Sequence, residues 1–291
     1  MVGMGRPTPR SRLVVAVTAD AVLDHRCDPG PASPLIRRLL AFNRGFSASA
    51  RPVDVVLLAC DITRRDRRVR DAARAQGVRL LPRAGQGACR PWHQAQALDV
   101  SLFLSAEEQE VRRALAAGVP AGHVQQTPVR DSDSVDELTI AFDFDGVLAD
   151  DTAESLFQLR GLDAFHASER AHAHIPLTAG PIARFFRDLA RLRRQAVGRA
   201  PRIRTAVVTS RGTPAHTRVM TSLRTWGLEP DEAFFLGGQP KAPVLALLGP
   251  HIYFDDQRVH IEQACAIAPC AHVPFGVMNS VVENPALAKV S

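Results

Sequence analysis

Six short apolar runs recur along the chain: "RLVVAV" (12–17), "VDVVLLA" (53–59), "VSLFL" (100–104), "LTIAF" (138–142), "IRTAVVT" (203–209) and "HIYF" (251–254). Each is rich in β-branched residues and nearly continuous in apolar character. That pattern suits strands covered on both faces, because a half-exposed strand alternates polar and apolar residues. Helical patterns lie between them. "RRVRDAARAQG" (67–77), "EEQEVRRALAAG" (107–118) and "PAHTRVMTSLRTWG" (214–227) each end at a glycine, a good helix stop. Strands alternating with helices predict an α/β fold on a parallel sheet.

The chain also repeats itself. "VVAVTADAVLDHR" aligns with "TIAFDFDGVLADD", "DVVLLACDITRRDRRVRDAARAQGV" with "RTAVVTSRGTPAHTRVMTSLRTWGL", and "DVSLFLSAEEQEVRRALAAGV" with "GPHIYFDDQRVHIEQACAIAP". Three matches in the same order predict two related Rossmann-like halves, 1–135 and 136–291, divided near the polar segment "TPVRDSDSVDE" (127–137). The halves differ where chemistry would sit. Asp143 faces Thr18, and Asp145 keeps its counterpart Asp20. Thr209 faces Ala59, Asp255 and Asp256 face Ser105 and Ala106, and Lys241 falls opposite "GACR" (87–90). The reading is one active half and one degenerate, non-catalytic half.

Composition narrows the functional class. The chain has 291 residues with 46% hydrophobic content, and 36 basic against 30 acidic residues leave a net charge of +6. The excess suits an anionic ligand but is spread out, apart from "RRDRRVR" (64–70), which reads as a solvated helix face. Two Trp and one Tyr supply too few stacking platforms for a nucleic-acid surface. Five cysteines without a C-x-x-C pair argue against a zinc or disulfide framework and for the cytoplasm. No apolar signal core or membrane-length run stands out. Nearly all basic residues are arginine, and only Lys241 and Lys289 are lysines, which singles out the internal Lys241.

Four groups follow predicted strands of the second half: Asp143 and Asp145, Thr209 with Ser210, Lys241, and the pair Asp255–Asp256. In an open parallel sheet the carboxyl ends of the strands share one edge, where ligands bind, so these groups would converge. Carboxylates crowded in one crevice need a hard divalent cation, and Mg²⁺ accepts carboxylates, water and phosphate together. A phosphate monoester would complete the charge balance. The roles follow: Asp143 as nucleophile forming an aspartyl-phosphate, and Asp145 as the acid that protonates the leaving alkoxide and later activates water. Lys241, the Thr209 hydroxyl and nearby backbone N–H groups would hold phosphate oxygens. Asp255 and Asp256 would hold the metal with Asp143 and the carbonyl of Asp145. Asp255 is the safer ligand, since Asp256 could cap the following helix. Arg211 could meet phosphate or ribose, or pair with a carboxylate.

"DFDGVLADD", "VVTSR", "GGQPKAPV" and "YFDDQ" resemble the four ordered motifs of the haloacid dehalogenase-like phosphohydrolases. Across most of 138–275, "GLDAFH", "IRTAVVTSRGTPAHTRV", "DEAFFLGGQPKAPVL" and "HIYFDDQ" look like the cytosolic 5'-nucleotidase type I family, whose members prefer AMP. "PASPLIRRLLAFN" and "LFLSAEEQEVRRALAAG" extend the likeness more loosely to the first half. The resemblance implies Mg²⁺-dependent hydrolysis of nucleoside 5'-monophosphates. Residues 151–200, too many for a plain crossover, would form a small helical cap, where Phe157, Phe165 and His166 could face a base or simply pack the cap. A phosphatase or phosphotransferase for another small ester, such as a sugar phosphate, and a non-catalytic nucleotide-binding regulator remain open. So does a homo-oligomer.

Overall fold

The computed structural model describes residues 12–58, 67–81, 90–127, 131, 134–195 and 201–279. Its strands are β1 (Leu13–Val17), β2 (Val53–Leu58), β3 (Arg79–Leu81), β4 (Leu102–Ser105), β5 (Ala121–Val124), β6 (Glu137–Phe142), β7 (Arg202–Thr209), β8 (Glu232–Phe235), β9 (Ile252–Asp255) and β10 (Cys270–His272). Its helices are α1 (Ala19–Val22), α2 (Ser33–Ala41), α3 (Arg67–Ala75), α4 (Pro91–Ala97), α5 (Glu108–Ala116), α6 (Thr152–Ala171), α7 (Ala183–Gln195), α8 (His216–Trp226), α9 (Ala242–Leu248) and α10 (Arg258–Ala264).

All ten strands form one sheet in the order β3-β2-β1-β4-β5-β10-β9-β6-β7-β8. Numbered within its own half, each set of five runs third, second, first, fourth, fifth toward the middle. The two halves therefore share one Rossmann-like topology, and the α/β expectation holds. Pairing is parallel within each half, and only the seam between β5 and β10 is antiparallel, with Ala271 opposite Val124 and His272 opposite His123. An antiparallel seam reverses the strand direction, so the carboxyl ends of the two halves lie on opposite edges of the sheet.

The continuous apolar runs divide between the two faces with period two. Ile140 and Phe142 join a core that both halves share, while Ala141 points into a separate core formed with Leu245, Leu248 and Ile261. In the first half Val15 and Val17 enter the shared core, and Ala16 joins Ala95, Val111 and Ala114 on the other side. Helix α2 packs on β6, and α7 packs on β1, so each half lends a helix to the other. Arg38 of α2 is 1% exposed and donates to the carbonyl oxygens of Glu137 and Ser134 at 3.0 and 2.8 Å and to Asp131, which ties the start of the second half to the first.

Four strands escape the sequence pattern: β3, β5, β8 and β10. They have three or four residues each. β4 and β9 are as short but lie in continuous apolar runs, whereas these four carry Arg79, Gly122 and His123, Glu232 or His272 and are created by their pairing partners. The proposed cap is also smaller than 151–200. Helix α7 belongs to the core: Phe185, Phe186 and Leu189 are fully buried, and the Phe186 ring lies 5.1 Å from that of Phe142. Burial of each such phenyl ring stabilises the fold by about 1.5–3 kcal/mol. Among the described residues of 151–200, α6 is the element that lines the cavity at the sheet edge; it is broken at Gly161, where φ is +77°. Of "RRDRRVR", residues 67–70 lie on α3 with exposed or half-exposed side chains, and 64–66 fall outside the described residues.

Candidate active site

The edge of the second half gathers what the sequence scattered. Asp143 follows β6, Thr209 ends β7, Asp255 ends β9, and Lys241 opens α9. All four side chains are nearly fully buried. The Lys241 ammonium lies between two carboxylates, 2.9 Å from Asp143 Oδ1 and 2.7 Å from Asp255 Oδ2. Asp255 is also met by the Tyr253 hydroxyl, by the backbone N–H of Gln257 at 2.8 Å and by His260 Nδ1 at 3.2 Å. Its neighbour Asp256 is placed by its backbone, whose carbonyl accepts from His272 Nε2 at 2.9 Å and Asn279 Nδ2 at 2.7 Å. The side-chain atom Asp256 Oδ1 is buried without a hydrogen-bond partner among the described residues.

Glycine is required twice here. Gly146 sits at φ +68°, and a Cβ there would meet Asp256 Oδ2 at 2.5 Å, so the turn after β6 exists only because residue 146 has no side chain. At Gly212 a Cβ would fall 2.9 Å from the Cα of Gly237, where the loops after β7 and β8 touch. Those loops are pinned by Gly238 N–H donating to the Ser210 carbonyl at 2.9 Å and Gly237 N–H to the Arg211 carbonyl at 3.2 Å.

Burial and crowding set the protonation states. Burial pushes the Asp143 carboxyl up, Lys241 pulls it down, and Asp255 and Asp145 push it up again, leaving it at about 7. Asp256, buried and facing Asp143 and Asp255, is pushed up to about 10. For Asp255 burial acts upward too, but Lys241 and His260 outweigh it and hold the carboxyl below the usual range. Lys241 loses hydration, yet Asp143 and Asp255 keep its ammonium above the ordinary lysine value.

Asp145 lies apart from this cluster. Both its oxygens take the fork of Arg211, at 2.7 Å from Nε and 2.7 Å from Nη2. Of the three readings of Arg211 left open by its position, pairing with a carboxylate is the arrangement present. A cavity of about 540 Å³ opens above Asp143, Asp145 and Thr209. Ser210, Gly212, Gly237 and Gly238 line one wall, and Phe157, Leu162, Phe165 and His166 of α6 the other. Asp143, Asp145, Thr209, Ser210, Arg211, Phe165 and His166 thus share one hollow, and Lys241 and Asp255 buttress Asp143 from beneath.

Sequence reasoning missed Tyr253, His260, Glu169 and Arg218. Tyr253 and His260 complete Asp255, while Glu169 binds both Arg211 and Arg218. An acid inside an amphipathic helix carries no mark of burial, so Glu169 had no local signal. Tyr253 is the one tyrosine of the chain and sits two residues before Asp255, a faint clue at most.

Donor atoms of Asp143, Asp255 and His260 lie within 4.8 Å of one another, as do those of Glu108, His123 and His272 at the seam. In the seam group both Glu108 oxygens are already occupied by Arg112 and Arg258, which opposes a further cation. The first group sits inside a cluster of three buried carboxyl groups and one ammonium, which becomes net negative once Asp143 and Asp256 give up their protons, as they would to a divalent metal.

The sequence can be set beside known proteins. It is 37% identical over 181 residues to human cytosolic 5'-nucleotidase 1B, a stretch that covers 60% of this chain and 30% of the human protein. The chain therefore spans about a third of that relative's length. A sequence model of the 5'-nucleotidase family matches residues 11–280, which includes both halves and every strand described above. With the family match running through the strand ends that carry Asp143, Thr209, Lys241 and Asp255, this chain belongs to the 5'-nucleotidase family.

Proposed function

We propose that the chain is a Mg²⁺-dependent 5'-nucleotidase that hydrolyses nucleoside 5'-monophosphates through an aspartyl-phosphate. The observation that carries this reading is the juxtaposition of a buried Asp143–Lys241–Asp255 cluster with an aromatic wall across one cavity. The polar floor suits a phosphate, and the wall of Phe157, Phe165 and His166 suits a flat base rather than a sugar alone.

The steps follow from the side chains. An Asp143 oxygen attacks phosphorus while the P–O5' bond breaks, and Asp145 gives its proton to the departing O5'. Water then attacks the phosphorus of the acyl phosphate, Asp145 takes the water's proton, and phosphate leaves with Asp143 restored. Thr209 Oγ, Lys241 Nζ and the N–H groups near Ser210 hold the phosphoryl oxygens, and α6 excludes water. The donor set fits a hard cation, because Asp256 keeps a buried oxygen with no hydrogen-bond partner among the described residues. Mg²⁺ would be held by Asp143, Asp256 and the Asp145 carbonyl, and would supply neutralisation of the transferring phosphoryl group. Asp255 was the stronger candidate from the sequence, but its oxygens are spent on Lys241, Tyr253, Gln257 and His260. We therefore assign the direct contact to Asp256.

The first half, 1–135, is in this reading a non-catalytic partner. Thr18 and Ser105 stand at its strand ends in place of acids, and each accepts a backbone N–H, from Ala106 and Glu107. The human relative is named cytosolic, and with the cysteine usage this supports a cytoplasmic reading of the chain. Among the described residues no helix is long and apolar enough to cross a membrane. The test is phosphate release from a panel of nucleoside monophosphates and sugar phosphates, with and without Mg²⁺. Preference for sugar phosphates would retire the nucleotidase reading and leave the phosphoryl chemistry standing.

A further inference from the structure

Arg211 is held more tightly than any step above requires. Its Nε and Nη2 fork onto Asp145, and its remaining nitrogen, Nη1, binds Glu169 of α6. The guanidinium also lies over two rings, with the Phe144 ring centre at 5.3 Å and that of Phe165 at 5.4 Å. Phe165 and Glu169 are four residues apart on one helix, so both project from the same side of α6 toward the same arginine. Glu169 is 1% exposed, and its second oxygen takes Arg218 Nη1 at 2.9 Å. Arg218 is itself tethered by Nε to the Ile175 carbonyl at 2.9 Å. Two carboxyl groups and two guanidiniums thus form one connected network that starts in the cap, passes through the loop after β7 and ends at Asp145.

A buried acid with two arginine partners is costly to desolvate, and hydrophobic side chains of similar size often serve stability as well or better. Stability alone therefore gives a weak account of Glu169. Geometry gives a stronger one. Arginine's planar fork fixes a carboxylate in both position and plane, but only if the guanidinium itself cannot turn. Asp145 and Glu169 together occupy all three of its nitrogens, and the two rings pack against it. If Glu169 is removed, Arg211 keeps its charge but is free to rotate about the Asp145 contact.

We propose that Glu169 is a positioning residue for proton transfer: through Arg211 it fixes the orientation from which Asp145 delivers its proton to the departing ester oxygen. The inference rests on the reading of Asp145 as that donor. Glu169 and Arg211 exchange no proton and touch no substrate atom in this role. The arrangement also couples the chemistry to the cap, because the acid is oriented only while α6 is seated.

The test is leaving-group dependence. An alkoxide such as O5' needs a proton as it departs, whereas p-nitrophenolate does not. In Glu169→Gln, kcat on a nucleoside monophosphate should fall by about 10- to 100-fold with KM changed little. The pre-steady-state burst of p-nitrophenolate from p-nitrophenyl phosphate should stay within about threefold of wild type, since that step forgoes the acid. Arg211→Lys keeps the charge but lacks the fork, and should give the same split; it carries the test if Glu169→Gln does not fold. Glu169→Asp, which restores the charge, should recover part of the loss. Equal losses on both substrates would mark Glu169 as a structural strut and overturn the proposal, as would full activity on both. A wild-type protein inactive on nucleoside monophosphates would retire the nucleotidase reading instead. The same split would then be measured with whichever alkyl phosphate it hydrolyses.

Discussion

The two halves of this molecule have the same strand order, but acids in the second half stand where Thr18 and Ser105 stand in the first. In the second half Asp255 closes β9 and accepts the Gln257 N–H at 2.8 Å; in the first, Ser105 closes β4 and accepts the Glu107 N–H at 3.0 Å. The local geometry, an acceptor capping the N–H two residues on, is the same. What differs is the charge left over. Ser105 is satisfied by its own turn, whereas Asp255 still carries a negative charge that must be met by Lys241, Tyr253 and His260. A functional edge on this fold thus requires no new backbone. It requires buried charges that satisfy one another only in part.

The comparison is broken most severely at Asp143, the proposed nucleophile. Asp143→Asn should reduce phosphate release by at least about 10³-fold without loss of circular dichroism. Thr18→Asn, the matched change in the first half, should leave turnover within about twofold, as surface and non-site changes usually do. If both variants lose activity alike, the first half is not a silent partner.

Lys241→Met comes next. It leaves Asp143 and Asp255 as uncompensated buried charges, and should destabilise the metal-free protein by about 3–5 kcal/mol in urea denaturation.

The pH response of the metal-free protein separates the halves in another way. Asp256 is pushed up to about 10 in the fold, far above an unfolded aspartate. The folded state therefore binds the proton more tightly. This contribution to stability is complete below the unfolded value, near pH 4, and is lost as pH rises toward 10. Mg²⁺ should consequently raise the melting temperature more at about pH 8.5 than at about pH 6, because the cation competes with that proton. An equal rise at both values would remove Asp256 from the proposed metal site.

Smaller effects belong to the neutral half and the seam. Ser105→Ala leaves the Glu107 N–H without its partner and should cost about 1 kcal/mol with turnover intact. Arg258 is 58% exposed in its pair with Glu108, so Arg258→Ala should change stability by less than about 1 kcal/mol.

Much of this was legible in the residues themselves. The long continuous runs at β1, β2, β6 and β7 announced buried parallel strands, and the internal repeat announced two halves of one design. The ordered acids, threonine and lysine pointed to one edge because strand ends in a parallel sheet must share an edge. The seam was not legible. His123 and His272 meet only when β5 and β10, too short to show periodicity, pair in opposite directions.

The sequence by itself therefore determined the fold class, the repeated topology and which side chains stand at the strand ends, because these depend on local periodicity and on the fixed geometry of β-α-β crossovers. The tertiary structure decided the rest. It joined two sheets into one, moved α7 from cap to core, gave Arg211 to Asp145 and Glu169, and left Asp256 with the unpartnered oxygen. Those outcomes depend on which distant groups a buried charge meets, and no spacing along the chain encodes that distance.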